Sequence, residues 1–197
     1  CNTFFANALF ESKSILFTGD IFDNTNTSLF RWGIRFRGSI NKNIGYYALA
    51  TNGQIIGNRE LALTEPALKN NYKLHEPNSK NFDFTEGYIN YETDHFALQL
   101  GREKIRIGNG YNDQLLISPI NALDFIKAGV KIGAINYTFA HNWLLSKEKI
   151  THDELTGDKR SIDSKYLASH RLGLSILDNN LELGFSEMII YSNRPVE

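Results

Sequence analysis

The chain has 197 residues, enough for one ordinary domain, and its 21 basic residues nearly balance its 22 acidic ones. This balance gives no basic surface that would favour nucleic acid, so no nucleic-acid partner is expected. With 22% charged and 42% hydrophobic residues, the composition also differs from that of a disordered chain. Aromatic residues and glycines are frequent, whereas there are 4 prolines, which favours strands joined by tight turns.

No segment stays apolar over about 18 consecutive residues, so the sequence predicts no transmembrane helix. A transmembrane β-barrel carries its apolar residues at every second position, so a search for long apolar segments does not detect it. The single cysteine is Cys1, so neither an internal disulfide nor a cysteine metal site is expected. The chain has no initiator Met and no signal-peptide regions, which indicates a processed chain or a fragment. A mature lipoprotein also begins with Cys, but Phe4–Phe10 is more apolar than a solvated tether.

The first part of the chain predicts two short apolar runs and then a hairpin. The runs are Thr3–Phe10 and Ser14–Phe22. In the first strand of the hairpin, large apolar residues alternate with basic ones, and the return strand Ile44–Thr51 follows a turn at Asn41–Asn43. The apolar face holds Phe30, Trp32, Ile34 and Phe36, and the opposite face holds Arg31, Gly33, Arg35 and Arg37. Such a strand could belong either to a soluble β-sandwich or to a membrane β-barrel whose apolar face contacts lipid.

The second hairpin contains a strand that is apolar at one end and charged at the other. It runs through Phe82–Tyr91 and returns from Phe96 to a charged run, Arg102 to Arg106. A strand of this kind needs a polar or water-filled space beside it. Because Lys104 shares its parity with Leu100, we expect either a bulge or a run that lies beyond the hydrocarbon band.

Two further hairpins complete an alternation of short turns and long polar loops. Their strands are Leu123–Val130, Ala134–Trp143, Lys165–Ile176 and Leu181–Tyr191. Long loops are expected at about 53–81 and 146–164, and loops of this length are usually functional. The pattern predicts an all-β, antiparallel, up-and-down transmembrane β-barrel over residues 1–197, with about nine or ten strands of a larger barrel. Soluble meanders also show such alternation.

Three segments resemble the capsule assembly Wzi family of bacterial outer-membrane proteins. They are FDFTEGYINYE (82–92), GREKIRIGNGYNDQLLIS (101–118) with NALDFIKAGVKIGAINYTFAHNWL after it, and KYLASHRLGLSILDNNLELGFSEMIIYSNRPVE (165–197). The resemblance implies an outer-membrane β-barrel of about eighteen strands that holds capsular or other surface polysaccharide at the cell surface. It therefore implies a location in the bacterial outer membrane, with lipid and surface or capsular polysaccharide as partners.

Charged residues expected to face the lumen are the candidate ligand-binding residues. They are Arg31, Arg35, Arg37, Glu86, Arg102, Glu103, Arg106, Arg171 and Glu187. A guanidinium pairs bidentately with a carboxylate, so the arginines could contact an acidic polysaccharide. The alternative is a structural network in which they neutralise the glutamates inside the barrel.

An enzyme is not expected. Glu86, Glu103, Asp124 and Glu187 could serve as the paired carboxylates of a soluble β-sandwich glycosidase, but nothing in the sequence fixes their separation. The five histidines lack metal-ligand spacing, so no metal and no cofactor is expected. A porin-like outer-membrane channel or transporter is the main alternative to a polysaccharide assembly protein.

Overall fold

A computed structural model describes residues 2–18, 25–105, 121–144, 148–153, 157–162, 164–177 and 180–192 of the chain. In these residues the chain is dominated by β-strands. The strands are β1 (Thr3–Leu16), β2 (Asn26–Ile40), β3 (Ile44–Gly57), β4 (Asn81–Glu92), β5 (Phe96–Lys104), β6 (Ala122–Ile132), β7 (Ile135–Leu144), β8 (Glu148–Asp153), β9 (Gly157–Ile162), β10 (Lys165–Ile176) and β11 (Leu181–Ser192).

Nine of these strands form one sheet whose order follows the chain. The order is β1-β2-β3-β4-β5-β6-β7-β10-β11, and β8 and β9 form a separate two-stranded sheet. Neighbours along the chain are antiparallel, so the prediction of an all-β, antiparallel, up-and-down sheet is confirmed. β1 and β11 stand at the two ends of the order, so the sheet is open in the part of the chain that the structure describes.

The first strand differs from the sequence interpretation. Instead of two short runs, β1 is one strand that pairs with β2 from Thr3 opposite Ser39 to Leu16 opposite Asn26. Residues 19–22 of the second predicted run lie outside the described residues. Polar residues in the middle of β1 interrupt its apolar pattern but leave the hydrogen-bonded ladder intact. Glu11 lies there directly opposite Arg31, and such a pair of opposite charges stabilises a cross-strand contact.

The connection between β3 and β4 also differs from the expected loop. β3 continues to Gly57, and three short helices follow: α1 (Arg59–Ala62), α2 (Pro66–Lys69) and a 3-10 helix (Tyr72–His75). The side chain of Asn58 caps α1 by accepting from the Leu61 N–H at 3.0 Å. Proline at the start of α2 has the φ angle that a helix needs. We call residues 58–80 the helical connection.

None of the helices in the described residues is both long and apolar enough to span a membrane.

The second connection, expected as a loop at about 146–164, contains β8 and β9. These two strands pair from Glu148 opposite Ile162 to Asp153 opposite Gly157. A turn-rich, charged segment can form such a hairpin because the ladder bonds join backbone groups and need no apolar side chain.

The chain divides into two compact units. Unit 1 contains Cys1–Ile89 and Arg102–Ala122, and unit 2 contains Asn90–Gly101 and Leu123–Glu197. The core of unit 1 lies between the sheet and the helical connection. Its buried residues are Leu29, Ile55, Ala62, Leu68, Leu74 and Phe82. The buried residues that the structure describes in unit 2 are strand residues, and three of the seven are polar: Phe125, Ala140, His141, Asn142, Leu167, Ser169 and Gly173.

In both units many large apolar side chains are exposed on one face of the strands, although a few, such as Ile55 and Leu167, are buried. On β2, Trp32 is 48% exposed, whereas Thr27 on the opposite face is 1% exposed. On β7, Ile135 is 51% exposed, whereas Asn142 on the opposite face is fully buried. We call this arrangement inverted burial, because water-soluble proteins usually bury apolar side chains and expose polar ones.

Candidate functional site

Arg31 lies in the middle of a charged face of unit 1. The strand register puts it between Glu11 of β1 and Gly53 of β3. Its guanidinium donates a hydrogen bond to the Glu11 carboxylate and lies 5.4 Å from the centre of the Phe84 ring. Gly53 leaves room for the aromatic side chains of β4, because a Cβ there would lie 2.2 Å from the ring of Phe82.

A second ion pair ties the helical connection to the sheet. Lys13 of β1, two residues after Glu11 and on the same face, pairs with Glu65 at the start of α2. Asn71 reinforces this attachment, because its side-chain amide donates to the backbone carbonyl of Asp83 at 2.6 Å. The connection therefore lies against the charged face of β1, β2 and β4.

The two ion pairs flank a pocket of about 170 Å³ in unit 1. This volume is large enough to hold several water molecules. The pocket has an apolar wall that includes Leu68 of the helical connection and Phe82 and Phe84 of β4. Its charged lining consists of Glu11, Lys13, Arg31, Glu65 and Lys104.

Lys104 ends β5 and reaches the pocket at the Phe84 ring. Its Nζ lies 6.0 Å from the ring centre, so two cations, Arg31 and Lys104, contact the same aromatic side chain. Gly101 precedes the charged run with φ 151°, a conformation that other residues rarely adopt. The irregular backbone lies where the sequence predicted a break in the strand alternation.

The remaining arginines of β2 lie on the same face as Arg31. Arg35 is half-buried, and its Nε has no hydrogen-bond partner among the described residues. Arg37 is exposed, and its guanidinium lies 5.7 Å from the centre of the Phe5 ring. The three basic residues at alternate positions therefore line one face, as the sequence predicted.

Two stacked tyrosines bring the predicted glutamates of unit 1 close to these arginines. The rings of Tyr47 and Tyr88 are 5.3 Å apart and inclined by 20°. Glu86 and Glu103 interact electrostatically with both tyrosines, and Arg35 interacts with Tyr47. Unit 1 thus contains six of the nine candidate residues in its described part: Arg31, Arg35, Arg37, Glu86, Arg102 and Glu103.

Two further candidate residues, Arg171 and Glu187, lie in unit 2. Arg171 lies in unit 2 and pairs with Glu182 at 2.7 Å. Glu187 lies opposite His170, on the apolar face that also holds Phe185, whereas Arg171 points to the other face. The expectation that Glu187 and Arg171 share a polar face is therefore corrected, because adjacent positions of a strand alternate between faces. Arg106 lies outside the described residues.

Unit 2 has an aromatic cluster on its apolar face. His141 and Trp143 of β7 contact edge to face at 4.8 Å, and Tyr166 of β10 lies 6.4 Å from Trp143. Tyr191 of β11 forms a hydrogen bond with Nδ1 of His141 at 3.3 Å. The cluster lies where β7 ends and β10 begins, because Trp143 and Tyr166 are paired in the register.

Sequence reasoning missed several residues of the pocket. Glu11 and Lys13 continue a period of two along β1, and this signal could have placed them on one face. Phe84 has the same parity as Glu86 in β4, which could have placed it beside the predicted glutamate. Glu65 had no such signal, because it belongs to the helical connection, where strand periodicity does not apply.

The arrangement can bind an anion, since three cations and two carboxylates line one small pocket and both carboxylates already have a cationic partner. Within the residues that the structure describes, no group of three or more His, Cys, Asp or Glu residues could hold a metal ion. No protein-family model, curated protein or solved structure matches the chain.

Proposed function

We propose that this protein is an outer-membrane β-barrel protein that binds an acidic surface polysaccharide without catalysis and serves its assembly or attachment at the cell surface. The inverted burial of the strands carries this proposal. Large apolar residues such as Phe10, Trp32 and Leu172 are exposed on one strand face in each unit. Continuous apolar surface of this kind is unfavourable in water, and a lipid environment removes the cost.

Strand length and aromatic placement support a membrane location. The strands of the main sheet have 9 to 15 residues, from β5 to β2. A transmembrane β-strand needs about 9–11 residues. The aromatic cluster of unit 2 contains Trp143 and Tyr191 at strand ends on the apolar face, and such residues form the girdles of membrane barrels at the lipid–water interface.

The charged face of unit 1 supports a glycan partner of acidic character. Arg31, Arg35, Arg37 and Lys104 place four cations on the described strands β2 and β5. Guanidinium groups bind carboxylates in a bidentate manner, so an acidic polysaccharide is a suitable partner. The resemblance of three segments to the capsule assembly Wzi family points to the same class of partner.

The pairing of the carboxylates supports binding rather than hydrolysis. A glycosidase needs two carboxyl groups that flank the scissile bond, one of them able to act as an acid. In unit 1, Glu11 pairs with Arg31 and Glu65 pairs with Lys13. Both carboxylates that line the pocket are therefore already engaged by cations, and they do not form a free pair.

Membrane extraction and glycan binding test the proposal together. We expect the natural protein to require detergent, to show a gel shift between unheated and boiled samples, and to bind an acidic polysaccharide when reconstituted into liposomes. A neutral polysaccharide of similar length is the control and should not co-sediment. A detergent-free soluble monomer, or equal binding of the neutral polymer, would contradict the proposal.

The row of arginines on β2 also favours a second candidate, a porin-like channel or transporter for anions. Basic side chains that line a pore select anions. Planar-bilayer recording separates the two candidates. A large and steady conductance would favour the channel, whereas a silent barrel that binds polysaccharide would favour the assembly role.

A further inference from the structure

The pocket of unit 1 contains one cation more than its carboxylates neutralise. Glu11 is engaged by Arg31, and Glu65 is engaged by Lys13. Lys104 contacts the Phe84 ring and has no ion-pair partner among the described residues. An ammonium group beside an apolar wall attracts an anion more strongly than one in open water, because the local dielectric constant is lower.

The size of the pocket restricts the anion. A volume of about 170 Å³ lies below the range of about 300–1,000 Å³ that is usual for sites of drug-sized ligands. One sugar residue is compatible with a space of this size. The apolar wall of Leu68, Phe82 and Phe84 suits the C–H groups of a sugar ring, and the charged lining suits its polar substituents.

We infer that this pocket binds one carboxylate-bearing sugar residue of an acidic glycan, with the carboxylate at Lys104 and the Arg31 guanidinium beside it. This inference rests on the proposed function, because it names the chemical class of residue that the charged face receives. It assigns Lys104, which ends β5, as the residue that selects an acidic sugar over a neutral one. Arg31 contributes charge but already holds Glu11, so its role is secondary.

Ligand-observed NMR with the detergent-solubilised protein tests the inference directly. D-glucuronic acid is the probe, and D-glucose and inorganic phosphate are the comparison ligands. We expect glucuronic acid to bind with a signal that decreases as salt is added, since salt screens the charge interaction. Glucose should bind at least about tenfold more weakly, which corresponds to the loss of one charge-assisted hydrogen bond. Phosphate that binds as tightly as glucuronic acid would overturn the assignment of a sugar.

Variants at Lys104 show whether binding depends on the charge of this residue or only on the folded structure. Lys104→Met should weaken glucuronic acid binding about tenfold or more, whereas Lys104→Arg should retain most of it. Lys42 lies in the exposed turn between β2 and β3, so Lys42→Met is a matched control that should bind as the unaltered protein does. The gel shift on heating shows whether each variant is folded. Unchanged binding by folded Lys104→Met would overturn the inference.

A variant that should bind glucuronic acid more tightly, instead of more weakly, complements the Lys104 variants. Glu11→Gln removes the partner of Arg31 and leaves the pocket more positive, so glucuronic acid should bind several times more tightly. A sugar held through hydroxyl groups on Glu11 would bind more weakly in this variant, and that result would overturn the inference.

The two proposals fail in different ways. If the protein inserts into membranes and binds the polysaccharide, but Lys104→Met has no effect on glucuronic acid binding, the proposed function stands and the assignment of the pocket fails. A detergent-free soluble protein would remove the proposed function, whatever the result with glucuronic acid.

Discussion

Units 1 and 2 share one pattern on their strands but use the polar face differently. In unit 1 the helical connection lies against that face, buries an apolar core that includes Leu68 and Phe82, and closes one side of a charged pocket. In unit 2 the buried residues belong to the strands themselves, and the fully buried Asn142 is among them. A charge-lined pocket therefore depends on a segment outside the sheet, because alternating strands alone provide only a flat polar face.

The largest expected effect on stability concerns the core of unit 1, which forms between the strands and the helical connection. Leu68 is 1% exposed, so Leu68→Ala should reduce the free energy of unfolding by about 2–5 kcal/mol. The adjacent exposed residue provides the control, since Lys69→Ala should change that free energy by no more than about 0.5 kcal/mol. Urea unfolding in detergent measures both. Equal effects at positions 68 and 69 would mean that the helical connection does not pack against the sheet.

The next effect concerns the apolar face of unit 2. In a bilayer, Phe139→Arg should cost about 2–4 kcal/mol at the midplane, because a lipid-facing side chain becomes charged. Thr138→Arg should cost far less, since Thr138 lies on the other face, opposite Gly129 and Arg171. Unfolding in liposomes gives both values. A larger cost at position 138 than at position 139 would reverse the assignment of the faces.

A smaller effect is expected at the charged face of unit 1. Arg31→Met removes an ion pair with Glu11 and a cation–π contact with Phe84, so it should destabilise the protein by about 1–2 kcal/mol. The same change at Arg37, which is exposed and lies over the ring of Phe5, should cost about 0.5–1 kcal/mol. Denaturant midpoints of the two variants check this order, and the reverse order would contradict it.

The smallest effect is expected at the ion pair of unit 2. Arg171 and Glu182 are both partly exposed, and exposed pairs contribute about 0.2–1 kcal/mol. A double-mutant cycle with Arg171→Met and Glu182→Gln should give a coupling in this range that disappears at high salt. A coupling that persists at high salt would contradict the partial exposure of both side chains.

Strand periodicity predicted the parts of the fold in which the backbone ladder and the side-chain pattern agree. The hairpins β2–β3 and β6–β7 and the face shared by Arg31, Arg35 and Arg37 were predicted because each strand alternates by two. β1 was divided wrongly, because Glu11 and Lys13 interrupt the apolar pattern although they continue the ladder. In this strand, backbone pairing and hydrophobicity gave different signals.

The pocket was only partly predictable for a related reason. Arg31 and the charged run that contains Lys104 were visible in the sequence, but their meeting at Phe84 depends on how β2, β4 and β5 are arranged. Glu65 joins them through the helical connection, whose short helices are set by caps such as Asn58 and by packing rather than by a long apolar period. Glu187 was expected on the polar face, whereas the register places it on the apolar face with Phe185.

Site-directed labelling at positions 138 and 139 tests most directly whether the exposed apolar face meets lipid. Cys1 is first replaced by Ser, and a fluorescent label is then attached to Thr138→Cys or Phe139→Cys in the reconstituted protein. We predict that a lipid-soluble quencher reaches the label at 139 and that a water-soluble quencher reaches the label at 138. Equal quenching of both labels by the water-soluble quencher would contradict the membrane assignment of this strand.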